Sequence, residues 1–195
     1  MKTDFSAGAW QTDALTYAYS QRFELTPVFT QMPDHIASQA DEKATYGYEN
    51  ITLLSRQKYT SGTQVTTACA FEGDAAPLIV LAKEMQPDAR GVLRYGEYLE
   101  IVLWKNGVNV WQMWMQDGAV TWRKRLGVEF AVSEGEKHTL SVQVNGETLH
   151  ITADDRKMSV YIGEMYPSFH AGIDACEGVC RFYSLTVEGE EASAE

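Results

Sequence analysis

The sequence predicts an all-β fold, a single-domain antiparallel sandwich or closed barrel, on three observations. Short runs of alternating apolar and polar residues recur along the 195-residue chain. Glycines and Asn/Asp pairs punctuate them at short intervals, and helical periodicity shows only weakly, around Thr12–Gln21. The length and a 45% hydrophobic share suffice for one sizeable core. No Ser/Pro linker divides the chain and no internal repeat is found. Residues 1–195 therefore read as one domain, with 1–20 as an N-terminal extension and 190–195, the end of "EGEEASAE", as a frayed acidic tail.

In chain order the strand segments begin with "RFELT", "HIASQ", "ENITLLSRQKY", "TQVTTACAFE" and "PLIVLAKE". "EYLEIVLW", "VNVWQMWMQ" and "AVTWRKRL" follow, joined at Asn106-Gly107 and Asp117-Gly118, both strong hairpin signals. Two-residue turns there put Trp104 opposite Asn109, Val102 opposite Trp111, Glu100 opposite Met113, Met113 opposite Trp122 and Trp111 opposite Lys124. One face then carries Glu100, Trp104, Asn109, Trp111, Met113, Trp122 and Lys124; the other carries Leu99, Ile101, Leu103, Val110, Gln112, Trp114, Arg123 and Arg125. A one-residue slip at Asp117-Gly118 would exchange Trp122 for Arg123 and Arg125. The next hairpin, "HTLSVQVNGETLHIT", turns at Asn145-Gly146, so that Val144 faces Glu147, Val142 faces Leu149 and Leu140 faces Ile151. Thr139, Ser141, Gln143, Thr148, His150 and Thr152 take its polar face. "MSVYIG" and "CRFYSLTVE" complete the series.

A formal charge of −11 and a pI near 4.8 make a nucleic-acid partner a poor fit, because such a surface repels phosphate. No run of about 18 apolar residues is present, so no helix is expected to span a membrane. "MKTDFSAGAW" has a lysine and no apolar stretch of a secretion signal. The expected location is cytoplasmic, or outside the cell if a leader has been removed. Three cysteines, Cys69, Cys176 and Cys180, fit reduced thiols, with a Cys176–Cys180 disulfide left open. His170, Cys176 and Cys180 match no familiar zinc spacing. "EGD" (Glu72–Asp74) and "ADD" (Ala153–Asp155) lack the ligand count of a calcium loop. No metal or cofactor is therefore assigned, calcium being the one ion kept open.

The strand succession, the "EYLEIVLWKNGVNVW" hairpin and the closing "FHAGIDACEGVCRFYSLTVEG" resemble the concanavalin A-like lectin/glucanase superfamily over residues 20–190. The resemblance implies a jelly-roll β-sandwich whose concave sheet holds a saccharide. Retaining glucanases of that superfamily carry Glu-x-Asp-x-Glu or Glu-x-Asp-x-x-Glu on one strand, placing two carboxylates about 5–5.5 Å apart. Here Glu97 and Glu100 stand three residues apart and project to opposite faces, so that pair is missing.

The function expected is therefore carbohydrate binding. Trp104, Trp111 and Trp122 would stack on the sugar's apolar face, while Glu100, Asn109, Arg123 and His170 would supply hydrogen bonds. One alternative is a glycoside hydrolase or lyase whose acids come from separate strands, such as Glu100 with Asp174 or Glu177. Another is a small subunit of a larger carbohydrate-active complex, or a homo-oligomer. Asp174 or Glu177 pairing with Arg181 is the structural explanation for the charges in "GIDACEGVCR".

Overall fold

Eighteen strands and no helix make up the described residues, 1–8, 10, 13–38 and 50–192, of the computed structural model. They are β1 (Lys2–Asp4), β2 (Leu15–Tyr17), β3 (Tyr19–Ser20), β4 (Thr30–Gln31), β5 (Ile36–Ala37), β6 (Asn50–Tyr59), β7 (Gln64–Phe71), β8 (Ala76–Ala82) and β9 (Gln86–Pro87). Then come β10 (Leu93–Tyr95), β11 (Tyr98–Trp104), β12 (Gly107–Gln116), β13 (Ala119–Glu129), β14 (His138–Asn145), β15 (Thr148–Ala153), β16 (Arg156–Tyr161), β17 (Phe169–Cys176) and β18 (Cys180–Glu188). One antiparallel sheet runs β16-β15-β14-β7-β18-β5-β4, with β1 also paired to β18. The second runs β13-β12-β11-β8-β17-β6-β2. They pack face to face as an all-β jelly-roll sandwich.

The main core lies between the sheets and takes the alternate residues of each strand: Leu99, Ile101, Leu103 and Val110 from the second sheet, Leu140, Val142 and Val144 from the first. β8 and β17 are buried along almost their whole length. They form the middle of the second sheet, and its outer face carries a second apolar cluster that includes Ala18, Leu54, Val80, Tyr95 and Tyr98. A small sheet, β3-β10-β9, lies over one end of that outer face. Among the described residues nothing covers the other end.

The N-terminal residues are part of the fold and not an extension. β1 pairs with β18 and β2 with β6, and the weak helical pattern around Thr12–Gln21 gives way to β2 and β3. Residues Leu15 and Tyr19 are buried there, so tertiary packing decides the backbone. "RFELT" is irregular instead of a strand: a turn joins Phe23 to Ser20, with 3.2 Å from the Phe23 amide to the Ser20 carbonyl. At the other end Glu190–Ala192 is not frayed, because the Glu190 carbonyl accepts from the Thr60 amide and the Ala192 amide donates to Lys58. Residues 193–195 fall outside the described residues.

The hairpins keep their expected faces but two of them change phase. Asp117-Gly118 turns as expected, both residues at positive φ (51° and 77°), with Met113 opposite Trp122 and Trp111 opposite Lys124. At the first hairpin the turn residues are Lys105-Asn106, and Gly107 takes the positive φ of 124°. Trp104 therefore pairs with Gly107, Val102 with Asn109 and Glu100 with Trp111. At the third hairpin Asn145 pairs with Thr148, so Val144 faces Leu149 and Val142 faces Ile151. Each register moves by two residues, which leaves every side chain on its face.

Candidate functional site

The open end of the second sheet's outer face forms a cleft of about 520 Å³. Residues of β11, β12 and β13 that alternate outward build one side: Glu100 and Trp104, Asn109 and Trp111, and Trp122. The Asp117-Gly118 turn, with unbroken pairing as far as Trp111–Lys124, sets the phase of β13 that puts Trp122 on this face; the bulge between Val110 and Trp111 comes beyond it. The loop after β3 contributes Arg22 and Phe23, β6 contributes Asn50, and the end of β17 contributes Cys176 and Glu177. Five of the seven expected binding residues thus meet in one cleft.

Arg123 and His170 do not join them. Arg123 lies opposite Gln112, on the other side of β13 from Trp122, and is solvent-exposed. His170 stands at the far end of β17, under the region beside Ala82, with its Nδ1 2.9 Å from the Ser55 carbonyl oxygen. Burial lowers its pKa, so the ring is held neutral in the sheet.

The three tryptophans are in different settings. Trp122 is 57% exposed, with the Arg22 guanidinium 5.4 Å from its ring centre. Trp111 is half-buried against the outer apolar cluster, and the Lys124 ammonium lies 5.4 Å from its ring. Trp104 is half-buried at the end of β11.

Glu100 is 9% exposed, and burial pushes its carboxyl up to about 7; the negative charge of Glu177 adds to the shift and Arg22 opposes it. Behind the cleft, Asp174 is fully buried. Its Oδ2 accepts from Thr52 Oγ1 and, at 3.3 Å, from Tyr95 Oη, while its Oδ1 has no partner among the described residues. Burial holds its pKa well above the carboxylate range, so Asp174 is a neutral acid inside the sheet. The expected pairing with Arg181 does not form: Arg181 reaches Glu72, on the other sheet's outer side. Cys176 faces the cleft while Cys180 points into the main core, and both are free thiols.

No family model matches the chain, and no curated protein matches it. Solved structures do, at low identity. A Bacillus licheniformis β-glucanase superposes with a TM-score of 0.66 at 9% identity, over 97% of each chain. The carbohydrate-binding module CBM66 from Bacillus subtilis gives 0.59 at 13%, over 83% of this chain and 91% of the module. The fold is that of the concanavalin A-like lectin/glucanase superfamily. A further neighbour, a pseudo β-1,3-glucanase and immunostimulatory antigen of Mycobacterium tuberculosis, gives 0.58 at 12%, over 97% of this chain and 98% of that one.

On β11 of this concanavalin A-like frame, the residues facing the cleft are Glu100, Val102 and Trp104, with Tyr98 preceding them in the same row beneath the small sheet. Only one of these four is a carboxylate. Glu97 lies before the strand and pairs with Lys83. An alternating acid pair, which two-carboxylate glycoside hydrolysis places on such a strand, has no second member here.

The sequence missed Arg22, Phe23 and Asn50. Arg22 meets Trp122 across 100 positions of chain, and nothing local to "SQRFE" signals that meeting. Asp174 carries a readable signal: an acid between apolar residues in "AGIDAC" marks a buried carboxyl.

Proposed function

We propose that the chain binds a saccharide in this cleft and does not cleave it. The observation that supports this most is the convergence of three tryptophans with Asn109 and Glu100 in one cleft of about 520 Å³, a size in the ordinary range for small-ligand sites. Indole faces suit the C–H faces of sugar rings, and the amide and carboxyl suit hydroxyls. The carbohydrate-binding module and the glucanases among the structural neighbours support the same reading.

A glycan titration followed by tryptophan fluorescence tests it. Trp104→Ala is expected to weaken binding by about 1–3 kcal/mol, the scale of stacking on an aromatic ring, with little change in melting temperature because the ring is half-buried at a strand end. Trp111→Ala is expected to weaken binding similarly and also to lower stability, because its ring packs on the apolar cluster. Unchanged affinity in both variants would remove the cleft from the account.

The lone acid on β11 bears on catalysis. Incubation with a β-glucan panel is expected to release no reducing ends. Release that Glu100→Gln lowers by about a hundredfold, the effect of losing a general acid or base, would replace the binding reading with a hydrolase.

A further inference from the structure

The cleft is electrically asymmetric. Its β17 end carries carboxylates: Glu177, and Asp74, which is paired with Lys105 at 2.5 Å. Its tryptophan side is bordered by two cations, one from the loop after β3 and one from β13. Arg22 lies over Trp122 and Lys124 over Trp111. Neither forms an ion pair within 4 Å among the described residues.

The cations continue past the cleft. β13 and β16 are the edge strands of the two sheets and lie on the same side of the sandwich. Arg123 and Arg125 follow on β13; Arg156 and Lys157 open β16. Arg125 bridges the seam by donating from Nη2 to the Tyr161 carbonyl at 3.2 Å, and Arg156 lies 4.7 Å from the Phe130 ring. None of these four is ion-paired either among the described residues. In a chain of net charge −11 with only 16 Lys and Arg residues, this is a concentrated positive band. Salt screens charges beyond about 8 Å at physiological strength, so distant acids count for little at this edge, while Glu177, which interacts with Arg22 across the cleft, counts against an anion.

Edge strands often carry Lys or Arg to prevent edge-to-edge pairing, and that accounts for Arg123 or Lys157 alone. It does not account for Arg22, which comes from a loop, or for Lys124, whose ammonium turns back over a cleft ring. Each of the two cations borders a cleft tryptophan, Arg22 at 5.4 Å from the Trp122 ring and Lys124 at 5.4 Å from the Trp111 ring, so a sugar held at these rings meets both. Glu100 opposes an anion there less than an ordinary carboxylate would, since burial raises its pKa to about 7 and its charged fraction shrinks below neutral pH.

We propose that the saccharide is anionic, with carboxylate or sulfate groups that pair with Arg22 and Lys124 and continue onto the Arg123–Arg125 edge. This rests on the saccharide reading above. The test is an array of uronate-, sulfate- and sialate-bearing glycans printed beside their neutral counterparts, followed by titration of the strongest hit at about 50 and about 300 mM salt. Acidic glycans are expected to bind, and their affinity to fall about fivefold or more with salt. The double variant Arg22→Gln/Lys124→Gln is expected to lose about tenfold or more, as charge-assisted bonds are removed. Arg22→Lys/Lys124→Arg, which keeps both charges, is expected to retain most of the affinity, and Lys2→Gln/Lys137→Gln, on the other sheet, all of it. Binding to neutral glycans with no preference for their acidic counterparts overturns the anionic proposal and leaves the saccharide reading standing. Binding to no glycan removes both. Aggregation of Arg123→Gln/Lys124→Gln with glycan affinity unchanged assigns the band to edge protection and overturns the proposal.

Discussion

Replacing Gly172 with alanine is expected to destabilise the fold by about 4 kcal/mol or more, the upper range for single substitutions. A Cβ at this position would lie 1.9 Å from the Leu53 carbonyl oxygen and 2.9 Å from Leu54 Cα. Both are backbone atoms of β6, so no side chain can swing aside. The close approach occurs where the β17–β6 register shifts, between His170 and Gly172, in a strand buried on both faces. Urea unfolding measures the loss; Gly62→Ala, where nothing lies within 4 Å and the cost comes only from a positive φ, provides the comparison at about 1 kcal/mol. A Gly172→Ala protein within about 1 kcal/mol of the parent would contradict the packing of β17 against β6.

Glu100→Gln is expected to stabilise the protein at pH 8 and to leave it unchanged at pH 4. The Glu100 carboxyl titrates at about 7 in the folded chain against an ordinary 4.5. Between those values the folded state holds a proton that the unfolded state has released, so its contribution to stability falls as pH rises through this window and is level above it. The gap corresponds to about 3 kcal/mol, or roughly 6–12 °C in melting temperature for a chain of this size. Asp174 is shifted in the same direction and persists in the variant, so the informative quantity is the difference between parent and variant across pH. Parallel melting curves from pH 4 to 8 would show that Glu100 is not held in a dry site.

The hairpins show what was legible in the sequence. Asn-Gly and Asp-Gly mark a reversal in all three cases but not its phase: Asp117-Gly118 fills both turn positions, Gly107 follows a Lys105-Asn106 turn, and Gly146 opens a Gly146-Glu147 turn. Because these choices differ by two residues in register, the face assignments hold at all three hairpins, while the pairings hold only at Asp117-Gly118. Trp104, Asn109, Trp111 and Trp122 were therefore placed on one face from alternation alone. Arg123 was a candidate only through the slip at Asp117-Gly118, which does not occur, and His170 had no alternation partner in the cleft. The remaining wall, Arg22 and Phe23, depends on how the small β3-β10-β9 sheet lies over the outer face. That arrangement joins residues separated by most of the chain, and no local pattern encodes it.

The two sides of the cleft differ in stiffness. Its floor, β8 and β17, is hydrogen-bonded on both edges and buried on both faces. Its outer wall runs into a bare ribbon: β11 stops at Tyr98 opposite Met113, and beyond that point residues 114–116 and 119–121 pair only with each other. Val120 alone of these packs against the outer apolar cluster. A two-stranded ribbon is at best marginally stable in water, and such segments open at a small fraction of the global unfolding free energy. Trp122 sits at the base of this ribbon, so the rings that would grip a ligand ride on the compliant side. Part of any binding free energy is then spent quieting that arm, and tightening the Asp117-Gly118 turn is a route to higher affinity that touches no ligand contact.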